Sequence, residues 1–439
     1  MEPELKDGPE QAVSRRGFLR CTAGAVTAPF VITSSALGGQ DVDAASERVT
    51  LALIGAGNRG GALMNSFLHR PDAEIVATCD PFKSRRRKRA RQVDNHYAKH
   101  RDESTYTSCT PHRDYRRVME RDDIDAVIVA TPDHWHVPIA TAAARAQKHM
   151  YVEKPLGLSI EWNKACREEC HRAGIVFQYG TQQRSMSHCR HGCELVRNGR
   201  IGEIKAIKVT APNGATGGST KPTEVPDNFD YDLWLGPAPV SPYTSDRCTN
   251  QGAWFVYDNS IGFLGGWGAH PLDIAVWGCG FEYPVPAEVK GTGRVPTEGL
   301  FDTVVDWQLQ GRYPNGARFE FTTGGDSTTF VGTEGWVRIT RGGNDAEPAS
   351  LLNATIGPEE LHLHRSGDHA GNFIEAIKTH SQPVSPVDQA VQSDFISHLS
   401  DIAVRTGRRI KWDPEAETIM DDVQGARLMD RSLRAPYHL

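Results

Sequence analysis

The segment that most constrains this chain is Val49-Thr50-Leu51-Ala52-Leu53-Ile54, an apolar run broken at once by Gly55-Ala56-Gly57-Asn58-Arg59-Gly60. An apolar run without polar alternation suits a strand covered on both faces, which is the demand of a parallel sheet. The three glycines then have separate tasks. Gly55 permits the tight turn, Gly57 lets the backbone approach a pyrophosphate, and Gly60 allows close helix packing. The helix that follows offers unpaired N–H groups and its positive end to the phosphate charge. Asp80 closes the next run, Glu74 to Cys79, twenty residues past Gly60, the spacing of a carboxylate that grips an adenosine ribose. Gly55, Gly57, Asn58, Arg59, Gly60 and Asp80 are therefore expected to bind a dinucleotide. NAD is favoured because Asp80 repels the 2'-phosphate of NADP. NADP stays open, since the first residues of Lys83-Ser84-Arg85-Arg86-Arg87-Lys88-Arg89-Ala90-Arg91 are placed to meet such a phosphate. The rest of that basic run reads as a solvated helix face rather than a nucleic-acid contact.

Runs of the same kind recur at Asp125 to Thr131, His149 to Glu153 and Ile175 to Tyr179, separated by helical periodicity. Ser159 is placed to cap one of those helices and Gly174 to end it. Strand and helix alternating in this way predict an α/β Rossmann domain, a doubly wound parallel sheet, over residues 46–180. Past residue 200 the pattern alternates apolar and polar at Ile204 to Val209, Thr303 to Leu309, Ala317 to Thr322 and Trp336 to Ile339. That alternation suits an open, predominantly antiparallel sheet in a second, α+β domain spanning 181–439. Residues 210–260 form a long loop region with aromatics that include Trp254 and Tyr257, which suit stacking on a sugar and equally suit a core. Helices are expected over 368–380 and 387–406, with Trp412-Asp413-Pro414 marking the turn after them.

Residues 1–45 are set apart as a processing segment. Ser14-Arg15-Arg16-Gly17-Phe18-Leu19-Arg20, followed by small and apolar residues, resembles a twin-arginine export signal, which implies a periplasmic or otherwise exported protein carrying a cofactor loaded before transport. Across all 439 residues, Lys plus Arg number 49 against 55 Asp plus Glu, a net charge of −6 with no global attraction to nucleic acid. No apolar run reaches the length of a membrane-spanning helix, so no integral membrane segment is expected. The nine cysteines include no CxxC. Cys189 with Cys193, and Cys166 with Cys170, share helix faces but read as buried residues, so no metal is assigned.

Two further motifs stand at strand ends, where open parallel sheets bind ligands: Thr131-Pro132-Asp133-His134-Trp135-His136 and Glu153-Lys154-Pro155. A lysine there, beside a nicotinamide, hydrogen-bonds a substrate hydroxyl and stabilises developing oxyanion charge. Taken with Gln178-Tyr179-Gly180-Thr181-Gln182-Gln183-Arg184, Tyr231-Asp232-Leu233-Trp234-Leu235-Gly236-Pro237 and Gly268-Ala269-His270-Pro271-Leu272-Asp273, the chain resembles the Gfo/Idh/MocA family, including its exported branch, over residues 48–439. The resemblance implies Lys154 as catalytic lysine and His270 as acid/base partner; read alone, His270 is equally a structural histidine. Thr131, Pro132, His136, Glu153 and Lys154 are added to the nucleotide site, and Gln182, Arg184, Trp254, Tyr257, His270 and Asp273 are assigned to the substrate. The resemblance also implies a sugar pocket on the second domain and a homo-oligomer. One departure weakens a simple dehydrogenase assignment: where the family often has an aspartate four residues before the histidine, this chain has Gly266.

The leading expectation is an exported oxidoreductase moving hydride between a sugar or cyclitol hydroxyl and tightly held NAD, or NADP. The first rival is redox-neutral glycoside cleavage through a transient keto-sugar, which Gly266 favours, although NAD-dependent glycosidases generally lack the Glu-Lys-Pro kept here. The second is a non-catalytic sugar-binding protein, against which Lys154 and His270 together argue.

Overall fold

The computed structural model describes residues 47–100 and 107–439; the export signal read at the N-terminus lies outside them. The first domain begins with β1 (Val49–Ile54), α1 (Asn58–Leu68), β2 (Ala73–Cys79), α2 (Lys83–His100), β3 (Thr110–His112) and β4 (Ala126–Val129). It continues through α3 (His136–Arg145), β5 (His149–Val152), α4 (Ile160–Ala173) and β6 (Phe177–Tyr179). All six strands run parallel in the order β3-β2-β1-β4-β5-β6, with β1 central between β2 and β4. Leu51, Ala52 and Leu53 are fully buried, as a strand covered on both faces requires. Helix α1 buries Gly60, Leu63, Met64, Phe67 and Leu68, the one-sided spacing of a helix laid on a sheet. Ser159 Oγ accepts from Trp162 N at 3.2 Å, and Gly174 ends α4 with φ of 64°.

The second domain contains α5 (Ser187–Arg197), β7 (Ile204–Ala211), α6 (Ala269–Cys279), β8 (Glu288–Arg294), β9 (Asp306–Arg312), β10 (Arg318–Thr323), β11 (Ser327–Gly332), β12 (Trp336–Thr340) and β13 (Gly343–Glu347). After α7 (His369–Thr379) and α8 (Val387–Thr406), the chain closes the sheet with β14 (Ile410–Asp413) and β15 (Thr418–Met420). The nine strands run β13-β12-β11-β7-β10-β9-β8-β14-β15. Only the β7–β10 pair is parallel. Trp412 and Asp413 therefore belong to a strand rather than to the expected turn, which begins at Pro414, and Trp412 is sealed against Phe395 of α8.

Helix α7 does not stay with its sequence neighbours. Phe373 packs edge-on against Phe67 of α1 and Tyr151 of β5, with ring centroids 6.2 and 6.1 Å apart. Ala370, Ile374 and Ile377 join the same core as Leu51 and Leu53. Burying an aromatic of this size contributes about 1.5–3 kcal/mol. No helix among the described residues is long and apolar enough to cross a membrane.

Candidate active site

The cleft opens at the carboxyl ends of β1, β2 and β4. Gly55 has φ of +94°, and a Cβ on it would stand 2.4 Å from the carbonyl oxygen of Ala130, just past the end of β4. A Cβ at Gly60 would lie 1.8 Å from Gly55 O, so the turn and the helix touch backbone to backbone. Gly57 differs: a Cβ there would meet no atom within 4 Å, because this residue faces the cleft. It is the N-cap of α1, without a side-chain cap bond and with no acidic residue in the first turn, so the helix start is left to an outside anion. Asp80 Oδ2 accepts from Ala56 N and Oδ1 from Phe82 N, both at 2.8 Å, leaving one lone pair on each oxygen for a diol. Burial pushes its carboxyl pKa upward, and the nearby Arg85 guanidinium opposes that shift. Arg85, Arg113, Tyr115, Thr131, Pro132 and Asp133 also line the cleft. Thr131 Oγ1 and Asp133 Oδ2 are buried there without a hydrogen-bond partner. A turn that only glycine fits, an open helix start, a ribose-facing carboxylate and two orphaned oxygens together suit a dinucleotide.

A strap formed from residues 226–260 walls the cleft's far side with Leu233, Trp234, Cys248, Thr249, Asn250, Ala253 and Trp254. Phe229 stacks on Phe82 at 3.6 Å between centroids, Asn228 O accepts from Lys83 N at 2.8 Å, and Arg113 pairs with Asp230 at 3.2 Å. Trp135 Nε1 donates to Trp234 O at 3.0 Å, and Arg434 Nε to Gly236 O at 2.8 Å, so the strap is fastened from both the sheet and the C-terminal tail.

At the end of β5, Glu153 Oε1 accepts from Arg59 Nε at 2.8 Å and Nη2 at 2.6 Å, and from Gln182 Nε2 at 3.1 Å. Gln182 also bonds Tyr151 OH at 2.6 Å, so this residue, expected at the substrate, is tied into the glutamate's network. Lys154 Nζ donates to Gly266 O at 2.5 Å. Burial pushes the lysine pKa down, while the carboxylates of Glu153 and Asp133 pull it back. His270, in the first turn of α6, is buried with Nδ1 unpartnered. Burial drives its pKa well below the usual imidazole value, and the positive charges of Lys154, Arg341 and Arg59 add to that. A neutral imidazole thus stands beside a destabilised ammonium, the pairing that general base and proton donor to an oxygen require. At Gly266 a Cβ would meet no atom within 4 Å, so space for the missing aspartate is present.

Other expected residues serve differently. His136 Nδ1 lies 2.6 Å from Pro155 O and Nε2 3.0 Å from Thr131 O; the ring is held between the carbonyls of the two strand-end motifs, a supporting position rather than a nucleotide contact. Arg184 and Asp273 form a two-pronged ion pair at 2.6 Å with both side chains 0% exposed, so they brace α6 instead of presenting atoms to a sugar. Tyr257 is sandwiched between Arg405 and Arg431, whose guanidinium carbons lie 3.3 and 3.8 Å from its ring centroid, and donates to Asp401 at 3.1 Å. It anchors the strap's end and is not in the cleft. Trp254 is 40% exposed at the cleft wall. Sequence reasoning did not assign Asp133, Trp234 or Arg341 to the site; Asp133 carried a signal in its strand-end motif and Trp234 in the Tyr231 to Pro237 string, while Arg341 carried none. Cys166, Cys170, Cys189 and Cys193 are buried in the main core.

A parallel sheet with a glycine cradle, joined to a second domain whose helix α6 carries a histidine near a strand-end lysine, defines a two-domain nicotinamide-dinucleotide-binding protein. Residues 49–181 match the model described as "Oxidoreductase family, NAD-binding Rossmann fold", and residues 213–439 that described as "Oxidoreductase family, C-terminal alpha/beta domain". The chain belongs to the Gfo/Idh/MocA oxidoreductase family. It is 37% identical over 117 residues to a "Glycosyl hydrolase family 109 protein" of Saccharopolyspora erythraea, covering 27% of this chain and 25% of that protein. It is 30% identical over 223 residues to an "Alpha-N-acetylgalactosaminidase" of Shewanella oneidensis, covering 44% of each. The chain thus spans less than half the length of these curated relatives. Its fold is shared with an aldose-aldose oxidoreductase from Caulobacter crescentus, at TM-score 0.60, 20% identity and coverage of 83% of this chain and 99% of that one. It is shared equally with the WlbA dehydrogenase from Bordetella pertussis in complex with NADH and UDP-GlcNAcA, at TM-score 0.58, 18% identity and the same coverages.

Proposed function

We propose that this protein is an exported oxidoreductase acting on a sugar or cyclitol hydroxyl with a tightly held NAD. The observation that carries the reading is the buried pair formed by Lys154, bonded to Gly266 O, and His270, which burial and neighbouring cations keep neutral. When bound, the nicotinamide supplies the acceptor for the hydride of the carbinol carbon. Gly57 and the start of α1 hold the pyrophosphate, Asp80 the adenosine ribose, and Thr131 and Asp133 face the nicotinamide end. Lys154 directs its N–H groups at the substrate oxygen and stabilises charge developing there, while the His270 imidazole takes the hydroxyl proton. The fastened strap excludes water and supports retention of the nucleotide, as a protein working away from a soluble nicotinamide pool needs. Retention in turn requires a second sugar or ketone to return the nucleotide to its starting state.

Gly266 and the curated relatives favour one second reading, redox-neutral glycoside cleavage, in which oxidation to a ketone acidifies the adjacent C–H, loss of that proton expels the glycosidic group, water adds across the resulting double bond, and return of the hydride to the ketone restores the sugar. Both readings are tested by turnover on a panel of free sugars, cyclitols and aryl glycosides, following nicotinamide absorbance and aglycone release together. With one sugar at a time and stoichiometric protein, reduction of the bound nucleotide without aglycone release supports the first, and aglycone release without net absorbance change the second. A Lys154→Ala protein that retains full turnover would remove the catalytic assignment from both.

A further inference from the structure

Outside the nucleotide cradle, the charge around the lysine and histidine is unbalanced. Arg341 stands in the turn between β12 and β13, and its guanidinium carbon lies 5.9 Å from the centroid of Trp267, whose ring is in turn 6.4 Å from that of His270. Its positive charge is felt at both Lys154 and His270. The side chain is 40% exposed, and its one ionic neighbour is Asp326, with Oδ2 3.5 Å from Nε. That distance is too long for a good charged hydrogen bond, and it engages the inner edge of the fork. Among the described residues no group hydrogen-bonds the two terminal nitrogens of Arg341. Apart from Asp326, the carboxylates near this charge are committed elsewhere. Glu153 is held by Arg59, Asp273 by Arg184, and position 266 offers only a hydrogen. Asp133 is fully buried, and burial favours its neutral form.

A planar fork with its outer edge free, beside an indole and a cation-rich pair, matches a carboxylate or sulfate carried on a ring. We propose that the substrate of this site is an anionic sugar whose ring carboxylate or sulfate is bound by the Arg341 guanidinium beside Trp267. This rests on the sugar-oxidoreductase reading above and narrows its substrate class.

Calorimetric titration of the purified protein with glucuronate, glucose 6-sulfate and glucose tests it, with Arg341→Met and Arg341→Lys as variants. The wild type is expected to bind at least one of the two anions about tenfold or more tightly than glucose, and the preferred anion distinguishes a carboxylate from a sulfate. Arg341→Met should erase the preference and Arg341→Lys keep part of it, since an ammonium retains the charge but not the fork. Raising the salt concentration should shrink the preference in the wild type. Equal affinity for all three sugars, or a preference that survives in Arg341→Met, overturns the proposal. A preference that behaves as expected, with no nicotinamide absorbance change and no aglycone release on the panel of free sugars, cyclitols and aryl glycosides above, upholds the anion site and overturns the catalytic reading alone.

Discussion

Replacing Gly57 with alanine separates the nucleotide cradle from the fold that carries it. At this residue φ is −71°, and an added Cβ meets no protein atom within 4 Å, so the native backbone accepts the methyl without strain. By narrowing the unfolded ensemble the change should stabilise the nucleotide-free protein by about 0.4–1 kcal/mol. The same methyl projects into the cleft at the head of α1, where the phosphate backbone has to approach. Overfilling a fitted contact costs about 1–3 kcal/mol, equivalent to an affinity loss of about 5- to 150-fold. Gly55→Ala has the opposite signature. Its φ of +94° and a Cβ 2.4 Å from Ala130 O place the strain in the folded chain itself. The left-handed conformation alone costs about 1–2 kcal/mol before β4 gives way. Thermal melts of nucleotide-free proteins and calorimetric titration with NAD read both effects. Gly57→Ala should melt at or above the wild type yet bind NAD at least about fivefold more weakly, and Gly55→Ala should melt lower. Wild-type NAD affinity in Gly57→Ala would refute the assignment of this turn to the pyrophosphate.

Gly266→Asp should fold normally and place a carboxylate beside the ammonium and imidazole, raising both pKa values. Since His270 acts neutral, the acidic limb of the kcat/KM profile should move up by about one pH unit. Arg184→Met should destabilise the protein by about 3–5 kcal/mol in denaturant titrations, because it strands a fully buried Asp273 carboxylate, and Arg184→Met combined with Asp273→Leu should recover much of the loss. Asp394 accepts from Leu156 N and Tyr179 OH, both at 2.6 Å, and burial pushes its pKa up to about 7 from 3.8. Its folded pKa being raised, the stability it contributes is complete below about pH 4 and is lost as pH rises through about 7. Asp394→Asn should flatten that slope in melts taken between those limits and, by losing one acceptor, cost about 1–3 kcal/mol.

The cradle was legible because its information is local. A strand, three glycines and an aspartate at fixed spacing specify one turn and the start of one helix. Strand β3 was not, since three residues centred on Pro111 carry no periodicity, and only the edge of a sheet tolerates a proline there. Strand β8 hid behind Gly291 and Gly293; a Cβ at Gly291 would stand 2.1 Å from Gln308 O, so close strand approach removed the side chains that would have shown the alternation. Long-range pairing was the other blind spot. Nothing in the sequence tells that Arg184 spends itself on Asp273, that Tyr257 is clasped by two arginines from the C-terminal segments, or that Phe373 returns to pack on the first sheet. Arg341 is likewise brought to the lysine by a sheet whose register sequence spacing does not reveal.

The central claim is that the cleft holds a nicotinamide dinucleotide for the lysine and histidine to use. Its most direct test is to purify the protein without added nucleotide, denature it, and identify and quantify what is released by mass. The account predicts close to one equivalent of NAD or its reduced form per chain. Protein that comes out empty and takes up neither NAD nor NADP when they are supplied would contradict it.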